Sequence, residues 1–370
     1  MLEYISTQKE EKIVTNKKNY PFVDFIRFIS MMGIVWAHIA FFEENETIAN
    51  ILSKIDHPMI YLSFMNFFKF GVFCFFIISG FLLGDNLKNT TPRVYLKKRL
   101  KVIVKPYIVV SIVFWIFSLI SHFYIKNNAF SISYALQSIK WNMIYTPLWF
   151  IPNYFLSLGI ILLFYKYIGS KSFGLILFVI LVIYSVFLVY IPGYEKSHTT
   201  ALFGFVFYLW LGVYIQQRNL IDKILNININ FLIFITLVFF SMSIIESYQL
   251  YKNNFSTVFS ILRFSNQLYA LSMFALLVRI CNTPPKIRFL NPRKETYGIY
   301  LYHGFVTAFM IPLFIEFIYR YFDVKLNDWY DHRVFLFIFL FLSFFIFCYV
   351  STTLFVKLIL KYDIGYLNKA

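Results

Sequence analysis

The sequence predicts an all-α fold, a polytopic integral membrane bundle of about ten transmembrane helices, and three observations carry that expectation. Of its 370 residues 59% are hydrophobic and 14% charged, whereas a soluble domain averages about 25% charged. Apolar runs near the ~20 residues needed to cross a bilayer recur along the whole chain, separated by short polar connectors. The basic residues also alternate from connector to connector. With the N-terminus inside, 23 of the 34 Lys and Arg fall on the cytoplasmic side and 8 on the outer side, as the positive-inside rule requires. Most of the net charge of +16 is therefore topology, and no nucleic-acid partner is needed to explain it.

Taken in order, residues 1–21 are polar and lysine-containing and are expected to form a cytoplasmic tail. Residues 22–360 form the membrane domain and residues 361–370 a second cytoplasmic tail. The ten expected spans are 22–42, 59–83, 104–124, 148–168, 172–191, 200–216, 230–248, 257–280, 296–318 and 334–358. No connector is long enough for a soluble domain, and no internal repeat marks an inverted-topology transporter. Cys74, Cys281 and Cys348 stand singly in or beside apolar runs, with neither a disulfide framework nor metal-ligand spacing, so no metal is expected.

The first span, PFVDFIRFISMMGIVWAHIAFF, carries Asp24, Arg27 and His38. Ionisable residues at membrane depth are costly and usually face a protein interior. At 3.6 residues per turn Asp24, Arg27, Met31, Ile34 and His38 fall on one stripe, with its polar ends roughly 16 Å apart. Arg27 then lies in the inner leaflet and His38 in the outer part of the span. A stripe joining the two sides suits a reaction between a cytosolic donor and an outward acceptor. The bland reading is an Asp–Arg pair near a helix end and a packed histidine.

In the second span Ser79 and Gly80 are small enough to admit a neighbouring helix closely, and Lys69 is expected to snorkel outward. The fourth span opens with TPLWFIPNYF. Its prolines break regular helix, and Trp149 is either an interfacial anchor or a stacking wall for a sugar. In the eighth, Ser260, Arg263, Asn266 and Gln267 are expected to share a helical face in the outer leaflet. The alternative there is a snorkelling arginine with interhelical hydrogen bonds. The ninth opens with ETYGIYLYHGF, where Tyr297, Tyr300 and His303 recur every three residues.

These segments together resemble the acyltransferase-3 family of integral membrane acyltransferases. The resemblance rests on Arg27 and His38 separated by ten residues, on Asp24 before them, and on FFIISGFLL, YLKKRLKVIVKPY, LWFIPNYF and TYGIYLYH in that order. One departure concerns the loop after the second span, where members often carry two arginines three apart; here Arg99 has Val102 at that distance, with Lys98, Lys101 and Lys105 around it. Lysine binds phosphate as a point charge, without the bidentate fork of arginine.

The resemblance implies an acyl-CoA-dependent O-acyltransferase. It would move an acyl group, commonly acetyl from acetyl-CoA, to a hydroxyl of a cell-surface polysaccharide or lipid-linked sugar. In that scheme His38 is the general base, and Arg27 and Asp24 complete the catalytic stripe. Arg93, Lys98, Arg99 and Lys101 would meet the donor. Trp149, Asn153, Arg263, Asn266, Tyr300 and His303 would meet the acceptor. The protein would sit in the cell membrane among its lipids with both termini cytoplasmic. The competing expectation is a flippase or exporter of a polysaccharide or lipid-linked glycan, for which ten spans and intramembrane charges are also apt. The sequence sets no oligomeric state.

Overall fold

The computed structural model describes residues 20–39, 57–125, 131–144, 146–281, 289–313 and 334–362. Both expected tails, apart from their residues 20–21 and 361–362, lie outside these residues, as does the end of the ninth stretch. The described chain is helical and contains no strand. Its α-helices are α1 Pro21–Ala37, α2 Pro58–Asn66, α3 Gly71–Asn86, α4 Pro92–Ile120, α5 Ile132–Ile144, α6 Phe150–Leu163 and α7 Lys171–Ser185. Then follow α8 Val206–Gln217, α9 Leu220–Leu225, α10 Ile229–Lys252, α11 Phe264–Ile280, α12 Pro292–Phe305 and α13 Val334–Lys361. Proline opens α1, α2, α4 and α12. There its missing N–H would have had no intrahelical partner and its fixed φ is already helical. Asn228 caps α10 and Asn291 caps α12, each accepting from backbone amides of the first turn.

Helix occupies part of every one of the ten apolar stretches, and the described residues alone do not confirm the expected ten spans. Five described helices are long and apolar enough to cross a membrane: Pro58–Asn86, Pro92–Phe123, Lys171–Tyr190, Ile229–Lys252 and Phe341–Lys361. A sixth is added if the bent pair Ile132–Met143 and Pro147–Leu163 counts as one. The helices α1, α8 and α11 have 17, 12 and 17 residues, short of the ~20 that the hydrocarbon core requires, and α12 runs directly into the π-helical Val306–Met310. Two further differences concern elements. Residues of the expected outer connector after the third span form α5. The eighth stretch is helical only from Phe264, because residues before it run through turns. Ser260 and Arg263 therefore do not share a helical face with Asn266 and Gln267.

The tightest packing joins α3 to α8. A methyl group added at Gly80 would stand 1.9 Å from the Leu209 carbonyl oxygen, and one added at Gly212 would stand 2.0 Å from that of Ile77. The absence of Cβ at both positions brings the two backbones together, as the small residues of the second span predict. Beside this pair, α1 packs on α3, α12 and α13, and its Ile26, Met31 and Val35 have no exposed surface. By contrast Ile112, Ile116 and Phe117 of α4 and Phe234 and Leu237 of α10 are exposed. In water such faces would be a liability; against lipid they are the appropriate surface.

Candidate active site

Helices α1 and α12 run parallel and touch at both ends. At their N-terminal ends the Asp24 carboxylate bridges two arginines, Arg293 Nε at 2.8 Å and Arg27 Nη1 at 3.4 Å. At their C-terminal ends His38 meets His303, with Nε2 of His303 3.3 Å from Nδ1 of His38. The stripe read from α1 therefore has a counterpart on α12, and the two together frame the site.

Between these ends lies a cavity of about 170 Å³, lined by Arg27, Ile34, Arg99, Tyr154, Arg293 and Tyr300 among others. A wider cavity of about 350 Å³ adjoins it, sharing Arg27, Leu82, Arg99, Val102 and Arg293 and adding Asp24, Tyr95 and Lys98. With Lys294 also in the lining, five cationic side chains border this space among the described residues, against the one carboxylate of Asp24. Tyr95 holds Arg99 in place: its hydroxyl accepts from Arg99 Nε at 2.9 Å, and the guanidinium lies 5.2 Å from its ring centre. At the mouth, Tyr20 donates to Asp85 at 3.0 Å. Burial and that carboxylate push the Tyr20 phenol above its usual range, so it remains a neutral donor.

The histidine pair has a defined proton arrangement. Nδ1 of His38 lies 2.7 Å from the Ile34 carbonyl oxygen, and Nδ1 of His303 lies 2.7 Å from that of Tyr300. A carbonyl only accepts, so each Nδ1 carries the proton and each Nε2 of the neutral rings carries the lone pair; this assignment follows from the partners. His303 turns its Nε2 toward His38, and Nε2 of His38 is left as the basic nitrogen. His303 is fully buried and His38 only partly so. The cationic cavity reaches Ile34 and Tyr300, one turn short of His38 and one turn short of His303.

Of the residues singled out in the sequence, Asp24, Arg27, Lys98, Arg99 and Tyr300 line this space, and His38 and His303 meet just beyond it. Arg93 and Lys101 are exposed and line neither part of this space. Arg263 is fully buried. Its guanidinium donates to the Ser260 and Ser243 carbonyls, to Ser247 Oγ and to Asn66 Oδ1, tying α2 and α10 to the start of α11. Asn266 is buried beside it and donates to the Ile261 carbonyl. Lys69 does not snorkel: it is buried and donates to the Phe259 carbonyl at 3.1 Å. Trp149 packs edge-on against His198, and Asn153 donates to the Trp149 and Thr199 carbonyls. These two hold the 198–200 turn against the start of α6, and neither is among the residues lining the cationic space.

Sequence reasoning missed Arg293, Tyr95 and Tyr154. Arg293 had a signal, since it follows Pro292 at a helix start, but it sat among basic residues already explained by topology. Among the described residues no group of three His, Cys, Asp or Glu converges on a possible metal site.

The described residues thus form a helical bundle with apolar, membrane-length helices and a cationic cavity that ends one turn from a histidine pair. Residues 20–359, nearly the whole chain, match the family model of the acyltransferase-3 type, described as an acyltransferase domain. The chain belongs to that family and is a membrane acyltransferase. No curated protein and no solved structure matches it.

Proposed function

We propose that the protein transfers an acyl group, with acetyl the expected one, from a cytosolic acyl-CoA to a hydroxyl of a cell-surface polysaccharide or lipid-linked sugar. The observation that carries this reading is the cationic cavity ending one turn from the His38–His303 pair. An acyl-CoA is a polyanion with a reactive thioester at its far end. Lys98, Arg99, Arg293 and Lys294 suit its phosphates, Arg as a planar fork and Lys as a point charge. Arg27, pinned by Asp24, stands on the path from these groups to His38 and suits the thioester end.

His38 then takes the proton of the acceptor hydroxyl on Nε2 as the oxygen attacks the thioester carbonyl. The new ester bond forms as the carbon–sulfur bond breaks, and the proton on His38 passes to the departing thiolate, which leaves as free CoA. The imidazolium formed on the way stands at the C-terminal end of α1, where unpaired carbonyls favour positive charge. It also faces the lone pair of His303. In this reading the cationic mouth is cytoplasmic, both termini are cytoplasmic, and the bilayer is the cell membrane.

The test is acyl transfer by purified, reconstituted protein from radiolabelled acetyl-CoA to surface glycan of the producing cell. The His38→Ala variant is expected to fold, since it removes one partly buried ring, and to lose about 10²- to 10⁴-fold in rate, the usual contribution of a general base. A monodisperse His38→Ala protein acting at the wild-type rate would overturn the mechanism. Wild-type protein that transfers nothing but carries glycan across vesicles would overturn the function.

A further inference from the structure

A third cavity, of about 530 Å³, lies at the opposite end of α4 from Arg99 and takes no part in the donor chemistry above. From Arg99 to Ser121 the chain advances roughly 33 Å at 1.5 Å per residue, about the thickness of a bilayer core. The volume falls within the ~300–1,000 Å³ of small-molecule sites. Its lining differs in kind from the cationic cavity. Ser118, Ser121, Gln137, Asn142, Thr146 and Thr307, all with hydroxyl or amide side chains, line it, and no Asp, Glu, Lys or Arg does so among the described residues. The aromatic wall is Trp141 together with His122 and Tyr134, whose rings stack 3.6 Å apart at 13°.

One group there is incomplete. Asn142 is 3% exposed and lines the cavity, yet its Nδ2 has no hydrogen-bond partner among the described residues. A buried donor of this kind is unfavourable unless something else accepts from it. The cavity also touches the chemistry. Gly304 and Thr307, directly after His303 on its helix and the turn that follows, line it. So does Pro147, whose carbonyl accepts from the Tyr300 hydroxyl at 2.7 Å. Tyr300 itself lines the cationic cavity, so the histidine pair stands between the two.

We propose that this cavity is the acceptor site and that it takes a neutral sugar ring, with Gln137 and Asn142 bonding its hydroxyls and Trp141 covering a C–H face. The inference rests on the acyl-transfer reading for the word acceptor, but not for the word sugar. A lining without Lys or Arg offers a phosphate or nucleotide no counter-charge. A lining rich in hydroxyls and amides offers a lipid tail little. A ring with many hydroxyls and an apolar face meets both halves of the wall.

The experiment uses the full-length protein in nanodiscs and short oligosaccharides released from the producing cell's surface polysaccharide, stripped of esters with mild alkali. A Gln137→Cys variant is labelled with maleimide; the native Cys74, Cys281 and Cys348 are buried. The oligosaccharides are expected to slow labelling saturably, and CoA is expected to leave it unchanged. Protection by CoA alone, or by neither, overturns the sugar site. In parallel, Asn142→Leu and Trp141→Ala are assayed for transfer. Asn142→Leu, nearly isosteric, should retain thermal stability and raise the acceptor KM about tenfold, the scale of one lost hydrogen bond, with the acyl-CoA KM unchanged. If wild-type protein transfers acyl groups and both variants keep the wild-type acceptor KM, the cavity is not the acceptor site although the enzyme reading stands. If oligosaccharides protect Gln137→Cys while wild-type protein transfers nothing, the sugar site stands and the enzyme reading fails.

Discussion

At the scale of single residues, His303 is the test of how the pair works. Its Nδ1–H is donated to the Tyr300 carbonyl, which aims Nε2 at His38. In the proposed mechanism it acts through His38, as a positioning residue. Replacing it with Phe keeps a ring and removes the acceptor. The expected result is a kcat lower by about 10- to 100-fold, the scale of one hydrogen bond to a charged group. The KM for acyl-CoA and the melting temperature should be close to wild type, and His303→Gln, which restores an acceptor, should recover part of the loss. A merely structural histidine would instead lower stability and leave kcat of the folded fraction unchanged. Arg27 and His38 were legible in the sequence because charge inside an apolar run is conspicuous and the helical period relates the two. Asp24 beside Arg27 was legible as well, but the partners that α12 brings, Arg293 and His303, were not. The approach of His303 to His38 is set by how α1 meets α12, which no local pattern encodes. Arg263 shows the converse. It is as conspicuous as Arg27, but its guanidinium is consumed by Ser260, Ser243, Ser247 and Asn66 and holds three helices together. Burial of a cation marks either a site or a clamp, and only its hydrogen-bond partners say which.

At the scale of elements, the α3–α8 contact makes a sharper demand than any apolar face. A methyl group at Gly80 would meet the Leu209 backbone at 1.9 Å, and backbone cannot rotate aside as a side chain does. Gly80→Ala is therefore expected to push the helices apart and destabilise the protein by about 1–3 kcal/mol, the usual penalty of overpacking. Gly159, within α6, has nothing within 4 Å of an added methyl. Gly159→Ala should be neutral or stabilising by up to ~1 kcal/mol, since alanine is the better helix former. Thermal denaturation in detergent checks both, and equal effects would refute the packing argument. Gly80 was readable because small residues in a span have few other uses. Helix α5 was not, since Gln137, Lys140 and Asn142 break its hydropathy. The start of α11 was likewise hidden, because apolar residues continue through the turns that precede it.

At the scale of the whole molecule, charge is sorted along the bundle. The cationic cavity draws on three segments distant in sequence: the start of α1, the basic run of α4 and the start of α12. All three were assigned to one side by the distribution of Lys and Arg, and the structure brings them together at one end. The uncharged cavity lies at the other end, and the proposed chemistry needs them to face different compartments. Topology is therefore the prediction on which the rest depends. Asn89, in the exposed turn before α4, should be cytoplasmic; Lys196, exposed between α7 and α8, should be external. Single cysteines at these positions, Asn89→Cys and Lys196→Cys, would be treated with a membrane-impermeant maleimide on intact cells and again after lysis. Lys196→Cys should label in both conditions and Asn89→Cys only after lysis. The native cysteines are buried and give a low background. The reverse pattern would place Lys98, Arg99 and Arg293 outside, away from any cytosolic acyl-CoA. A donor site there would be untenable even if His38 proved essential. Labelling of both positions on intact cells would put the turn before α4 and the α7–α8 connector on one side, and the sorting of charge would then have to serve something other than transfer across the membrane.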